Sequence, residues 1–114
     1  MNNYARGSQH ELRTKAKLEA DGYWVVKSAG SKGVADLVAI KPGQILLVQG
    51  KLKGYLPPKE WNDFYQVALD LGALAIVVCR GQKMWRITGF KSGLGHAQPW
   101  VPWSTDELSE GVAA

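Results

Sequence analysis

The sequence lacks the features that mark membrane and secreted proteins. Its longest apolar run, Ala73 to Cys79, has seven residues, far short of the roughly 20 that a membrane-spanning helix needs. No apolar segment lies near the start of the chain, so no secretory signal peptide is expected. The single cysteine, Cys79, cannot form an internal disulfide. We therefore expect the reducing cytoplasm and no membrane-spanning segment.

The length of the chain restricts the number of domains, and its charge indicates the class of partner. The 114 residues, 46% of them hydrophobic, fit one domain with one core. Residues 1–60 hold ten Lys/Arg and five Asp/Glu, a net charge of +5, whereas residues 61–114 hold four and five, a net charge of −1. A basic first half predicts an anionic partner, with nucleic acid first and an anionic membrane surface second.

Hydrophobic patterning predicts an α/β domain with the order α-β-β-β-α-β-β. The first helix, residues 8–20, is expected to open with a capping box from Ser8 to Glu11 and to bury Leu12, Ala16 and Ala20. Residues 89–103 contain three glycines and two prolines and are predicted to be irregular. We expect residues 1–90 to form the core, and 91–114 to be an extension that packs on it or on a partner subunit. The other predicted elements are strands 23–27, 34–41, 44–51, 73–79 and 83–88 and a helix over 60–71.

The second and third strands form a predicted hairpin with Pro42-Gly43 as its turn. This turn fixes a register in which the numbers of paired residues add up to 85. Asp36 then lies opposite Gln49, with Cβ atoms about 4.5–5.5 Å apart, and Lys51 lies on the same face. A face that is otherwise apolar thus ends in three polar side chains, which need partners or a metal.

Two interpretations of this polar end stay open. Asp36 and Lys51 could form an ion pair at the strand ends. Alternatively, the oxygens of Asp36 and Gln49 could hold a hard divalent cation such as Mg²⁺, which keeps several waters and is usually completed by substrate phosphate. With Lys51 as a nearby positive charge, the second arrangement suits metal-assisted phosphodiester hydrolysis.

These residues resemble a known signature. Asp36, twelve intervening residues and Gln49-Gly50-Lys51 resemble the PD-(D/E)XK nuclease motif. Together with Glu11 and the run from Gly22 to Gly33, which includes SAGSKG, they are similar to the archaeal-type Holliday junction resolvases and their bacteriophage relatives. The likeness covers roughly the first 80 residues. It implies a restriction-endonuclease-like core, in which helices flank a central mixed β-sheet.

The resemblance also implies roles for individual residues. Glu11, Asp36, the side-chain oxygen of Gln49 and the main-chain carbonyl of Gly50 would hold Mg²⁺, for which Mn²⁺ would substitute. Lys51 would orient the attacking water and stabilise charge on the phosphate. Ser31 would contact the scissile backbone. The catalytic set is therefore Glu11, Ser31, Asp36, Gln49 and Lys51.

Some features allow other interpretations. Gln49 replaces the family's usual acidic residue, which removes one negative charge and should weaken metal binding. Ala35 stands where the motif has proline. Glu11 could instead be only the capping glutamate of its helix, and His10 is expected at the surface. Rival functions are a related nuclease that cuts duplex or flap DNA, and a non-catalytic DNA-binding module.

The implied substrate is branched DNA, the four-way junction, and not a small molecule. Such a substrate implies the nucleoid of an archaeal, bacterial or phage-infected cell. A membrane partner is not expected, because no basic amphipathic helix carries bulky apolar residues. Because a junction needs two symmetric nicks, a homodimer with two active sites is expected. DNA should lie across the first helix, the loop 28–33 and the loop 51–59. The DNA-binding residues would be Arg6, Arg13, Lys15, Lys27, Ser31, Lys32, Lys53 and Lys59, contacting phosphates without reading sequence.

Overall fold

A computed structural model describes residues 3–28, 34–92 and 98–105. The predicted positions Ser31 and Lys32, and the end of the chain from residue 106, lie outside the described residues. Within the described part, no helix is both long and apolar enough to cross a bilayer. The elements are α1 (Asn3–Ala20), β1 (Trp24–Lys27), β2 (Leu37–Lys41), β3 (Gln44–Gly50), α2 (Pro58–Leu71), β4 (Leu74–Cys79), a short 3₁₀ turn (Arg80–Gln82), β5 (Lys83–Ile87) and β6 (Trp100–Trp103).

One six-stranded sheet carries the fold, and its strands lie side by side in chain order. Every neighbouring pair is antiparallel except β3 and β4, which are parallel. Because parallel strands need a crossover, α2 connects β3 to β4. The helix packs against the sheet face opposite to α1. The predicted mixed sheet flanked by helices is confirmed.

Helix α1 begins earlier than predicted and buries a different stripe. It starts at Asn3, so Ser8 lies inside the helix and cannot be its N-cap. The buried positions are His10, Thr14 and Leu18, four residues apart. The expected stripe of Leu12, Ala16 and Ala20 is exposed. The prediction was wrong because it chose the more apolar stripe, whereas His10 and Thr14 enter the interior with hydrogen-bond partners of their own.

The hairpin register is confirmed as far as the regular ladder extends. Lys41 pairs with Gln44, and the pairs continue to Leu37 opposite Val48. Asp36 lies just beyond the ladder, and its amide donates to the Val48 carbonyl at 2.8 Å. The prediction that Asp36 pairs directly with Gln49 therefore extends the register one pair too far. This break matters because Asp36 is the first residue of the signature that the sequence analysis identified.

Helix α2 supplies the aromatic side of the core. Trp61 and Phe64 are fully buried, and the Trp61 indole N–H donates to the Gly89 carbonyl at 2.9 Å. The helix ends at Gly72, whose φ of 66° is left-handed and favours glycine. Trp61 and Phe64 therefore belong to the interior of this chain and leave no ring surface for a partner.

The segment predicted as irregular contains an additional strand. Residues Trp100–Trp103 pair with β5 as an edge strand, with Trp85 opposite Pro102. Proline is tolerated there because an edge strand has one side without ladder bonds. Trp100 stacks on Trp85 with ring centroids 4.9 Å apart, and Trp103 is buried against the α1 side of the sheet. The tryptophans at the end of the described chain therefore pack on their own domain.

Candidate active site

The polar end of the hairpin is organised around Gly50, the last residue of β3. The Gly50 N–H donates to Asp36 Oδ2 at 2.8 Å. A Cβ atom on Gly50 would lie 3.0 Å from His10 Cδ2 and 3.6 Å from Asp36 Oδ2. The missing side chain therefore lets α1 and the Asp36 carboxylate approach the same piece of backbone.

Gln49 is held with its amide in a defined orientation. The residue is buried, and its Nε2 donates to the Val34 carbonyl. Because that carbonyl can only accept, the side-chain oxygen Oε1 is directed elsewhere. The predicted metal-binding role of Gln49 Oε1 stays a prediction.

Lys51 has a partner that the sequence analysis missed. Its Nζ lies 2.8 Å from Glu60 Oε1, in the first turn of α2. The ion pair expected as the alternative, between Lys51 and Asp36, is absent from the described contacts. An acidic residue in the first helical turn is common for reasons of helix dipole alone, so sequence offered no signal that Glu60 would contact Lys51.

Glu11 lies on α1 and contacts the edge of the sheet. Its Oε1 is 3.5 Å from Lys27 Nζ, at the end of β1. The next residue along, Ser28, donates its N–H to the Asp36 carbonyl at 2.9 Å. Since α1 begins at Asn3, Glu11 has no capping role, and the alternative interpretation of this residue is wrong. Glu11 and Asp36 thus approach one end of the sheet from two elements.

His10 is buried, contrary to the expected surface position. Its Nε2 lies 2.8 Å from the Val78 carbonyl and its Nδ1 lies 3.4 Å from Gln82 Nε2. The carbonyl can only accept, so Nε2 carries the proton, and Nδ1 accepts from Gln82. His10 joins α1 to the end of β4. Its spacing of four from Thr14 and Leu18 was the sequence signal for this buried stripe.

The donor set fits a hard divalent cation. Carboxylate, amide and main-chain oxygens are the ligands that Mg²⁺ takes in proteins, and Glu11, Asp36, Gln49 and Gly50 carry them. Among the described residues, no group of three or more His, Cys, Asp or Glu side chains could hold a metal. The predicted set has only two carboxylates, Glu11 and Asp36, because its third side chain is an amide.

The predicted DNA-binding residues divide into paired and unpaired groups. Lys15, Lys27 and Lys59 form ion pairs with Glu19, Glu11 and Asp63; the hydrogen bond to Asp63 raises the pKa of Lys59. The remaining described members, Arg6, Arg13 and Lys53, line two adjoining cavities near Lys51.

The fold is similar to that of a solved structure. Over 95% of this chain and 100% of the other, the structure is similar to that of Archaeoglobus fulgidus Hjc, a Holliday junction resolvase from an archaeal hyperthermophile, with a TM-score of 0.65 and 19% identity. At that identity the similarity shows the fold alone. The fold is restriction-endonuclease-like, as expected.

The family follows from the sequence. The model of the archaeal Holliday junction resolvase (Hjc) family matches residues 2–92. The crossover junction endodeoxyribonuclease Hjc of Methanocaldococcus jannaschii is 46% identical over 48 residues, which are 42% of this chain and 35% of that protein. The match therefore spans about a third of that relative's length. This chain belongs to the archaeal Holliday junction resolvase family, a family of DNA endonucleases.

Proposed function

We propose that this protein is a divalent-metal-dependent endonuclease that resolves four-way DNA junctions. The observation that carries the proposal is the Gly50 N–H bond to Asp36 Oδ2, because it holds one carboxylate oxygen in place at the end of β3, between Gln49 and Lys51. This arrangement occurs in a chain whose family model is that of the junction resolvases. A DNA substrate would place the protein in the cytoplasm, at the nucleoid.

Each residue of the site would have its own role in cleavage. Asp36, Glu11, Gln49 Oε1 and the Gly50 carbonyl would hold Mg²⁺ or Mn²⁺. When bound, the ion supplies an activated water and neutralises charge on the phosphate. Lys51 is positioned by Glu60 and would move from that carboxylate to the scissile phosphate. Ser31 and Lys32, outside the described residues, would contact the same backbone.

We further propose a homodimer, because two symmetric nicks need two sites related by a two-fold axis. The edge of the sheet supports a second copy as partner. Trp24 and Val26 are 68% and 39% exposed. They lie opposite Ile40 and Val38 on one face of β1 and β2. A tryptophan this exposed beside other apolar residues is typical of an interface.

Cleavage of matched substrates tests the function. A synthetic four-way junction, a flap and a linear duplex of the same sequence are incubated with Mg²⁺. We expect cutting of the junction, and a supercoiled cruciform plasmid should yield linear product rather than nicked circles. Equal rates on all three substrates would contradict a resolvase. No cutting with Mg²⁺ or Mn²⁺ would favour the non-catalytic binding module.

Substitutions at the site test the assigned roles. Asp36→Asn and Lys51→Ala should lower the cleavage rate by at least about 10³-fold, since each removes a charge that acts at the reacting phosphate. Junction binding should change little. Asp70→Asn, which neutralises an exposed carboxylate of α2, is the control and should cut as fast as wild type.

A further inference from the structure

Lysines and arginines differ in how they are paired. All five ion pairs among the described residues use a lysine, and none uses an arginine. Three of the four arginines, Arg6, Arg13 and Arg80, line the same pair of cavities. Their positive charges are therefore gathered in one place without acidic partners from the described part of the chain.

The two cavities form one groove, named here the arginine groove. The first, of about 290 Å³, contains Arg6, Arg13 and Arg80. The second, of about 280 Å³, shares Arg6 and Arg80 and adds Lys51 and Lys53. Among the described residues, no aspartate or glutamate lines either cavity; the nearest carboxylate to Lys51 is that of Glu60, its ion-pair partner. The groove thus runs from the three guanidinium groups to the proposed catalytic lysine.

The fold holds the walls of this groove together. Arg6 and Arg13 are seven residues apart, about two turns, and so project from the same side of α1. Arg80 follows the last residue of β4. His10 Nε2 donates to the Val78 carbonyl at 2.8 Å, which fastens α1 to the end of that strand. The arginines of the two elements are therefore brought to one groove by a buried contact.

The guanidinium groups that line the groove indicate the class of ligand it binds. Guanidinium groups bind phosphate oxygens through two parallel N–H bonds, and they are always charged. A groove whose described lining holds three such groups and no carboxylate matches a polyanion. Because Lys51 lies in the same groove, the phosphate that fits is one in the DNA strand that is being cut.

We propose that Arg6, Arg13 and Arg80 form a backbone-binding site that grips a phosphodiester next to the cleavage point. This inference deepens the proposed function and rests on it. Arg80 is the new element, because it comes from the near-neutral second half of the chain, to which the charge distribution assigned no DNA contact.

Binding of a labelled four-way junction between about 50 and 200 mM salt tests the site. Arg80→Ala should raise the Kd about tenfold, the value of one charge-assisted hydrogen bond to phosphate. It should also reduce the slope of log K against log salt by about 1. Arg80→Lys keeps the charge but not the bidentate geometry, so its salt slope should equal that of wild type, with an intermediate Kd.

Arg86→Ala is the matched control. Arg86 is exposed on β5 and has no ion pair among the described residues, but it does not line the groove. It should bind within about twofold of wild type. Arg80 is also exposed, so both variants should fold, which thermal unfolding checks.

Each outcome decides the proposal. Equal affinity and salt slope for Arg80→Ala and Arg86→Ala, with a wild type that still cuts junctions, would overturn the site and leave the function intact. A wild type that neither binds nor cuts junctions would instead remove the proposed function. If inorganic phosphate raises the Tm of wild type while Arg80→Ala leaves DNA binding unchanged, the groove serves a free anion and the DNA site is wrong.

Discussion

The two helices that cover the faces of the sheet bury different kinds of side chain. On the α2 side, Trp61 and Phe64 fill the space between helix and sheet with rings that are fully buried. On the α1 side, the helix buries His10 and Thr14 beside Leu18. Each polar group there is satisfied by a main-chain carbonyl. The difference indicates that α2 mainly stabilises the fold. Helix α1 buries fewer apolar side chains, and its polar contacts hold the helix in place beside the candidate site.

The largest effect on stability is expected on the α2 side. Trp61→Ala should lower the free energy of unfolding by about 3–5 kcal/mol, because it leaves a cavity in the core and removes the indole bond to Gly89. Urea unfolding measures this change. Leu69→Ala, on the same helix but 50% exposed, should change the free energy by under about 0.5 kcal/mol. Similar losses for both variants would contradict this view of α2.

On the α1 side we expect a single substitution to lower both the free energy of unfolding and the cleavage rate. Gly50→Ala places a methyl group 3.0 Å from His10 Cδ2, and His10 is pinned by its bond to Val78. We expect a loss of about 1–3 kcal/mol and slower junction cleavage, because Asp36 must also move.

The same substitution at Gly7 provides the control for Gly50→Ala. Gly7 lies inside α1, and a Cβ there would meet nothing within 4 Å. Gly7→Ala should therefore stabilise the protein by about 0.5–1 kcal/mol. If both substitutions shift the unfolding midpoint in the same direction, the close approach at Gly50 is not the cause.

A smaller effect is expected at the contact of α2 with the site. Glu60→Ala removes the partner of Lys51 and should lower kcat about tenfold through misplacement of the lysine. KM should stay unchanged, and Glu60→Gln should recover part of the rate. Asp63→Ala breaks the equivalent exposed pair with Lys59 and should cut within about twofold of wild type. A change in KM alone would make Glu60 a DNA-repelling charge and not a positioning residue.

The smallest effect on stability is expected where the Thr105 hydroxyl, after β6, donates to the Asp21 carboxylate, after α1. Burial raises the pKa of Asp21, but hydrogen bonds from Thr105 and Lys17 outweigh it, so the pKa is lowered. A lowered pKa stabilises the fold above the unfolded value of about 3.9 and loses that contribution as pH falls through the folded value. Thr105→Val should therefore cost up to about 1 kcal/mol at pH 7, and the difference from wild type should shrink below about pH 4.

Urea unfolding at pH 7 and pH 3 measures that difference. Asp21→Asn serves as the background in which Thr105→Val should show the same small change at both pH values. A wild-type advantage that persists unchanged at pH 3 would show that the Thr105 hydroxyl does not act through the ionised carboxylate.

The sequence predicted most of the elements because hydrophobic periodicity and turn residues act locally. The Pro42-Gly43 turn correctly set the hairpin register, and Gly22 and Gly72 marked the ends of both helices. The errors came where partners are distant. Pairing with β5 turned a proline-containing segment into β6, and buried hydrogen bonds drew His10 and Thr14 inside in place of Leu12 and Ala16.

For the candidate site, the residue types and their spacing were readable from the chain. Glu11, Asp36 and Gln49-Gly50-Lys51 carry the nuclease signature, and the match to the resolvase family agrees with it. Their metal and catalytic roles remain predictions.

The chemical groups of the site and their place along β3 could be predicted from the chain, since covalent order and the period of a strand set both. Which groups meet depends on the tertiary fold. Glu60 reaches Lys51, His10 reaches Val78, and Arg80 joins Arg6 and Arg13, in each case across at least nine residues of chain. Such contacts depend on how helices dock on the sheet, and docking is set by the packing of the whole core.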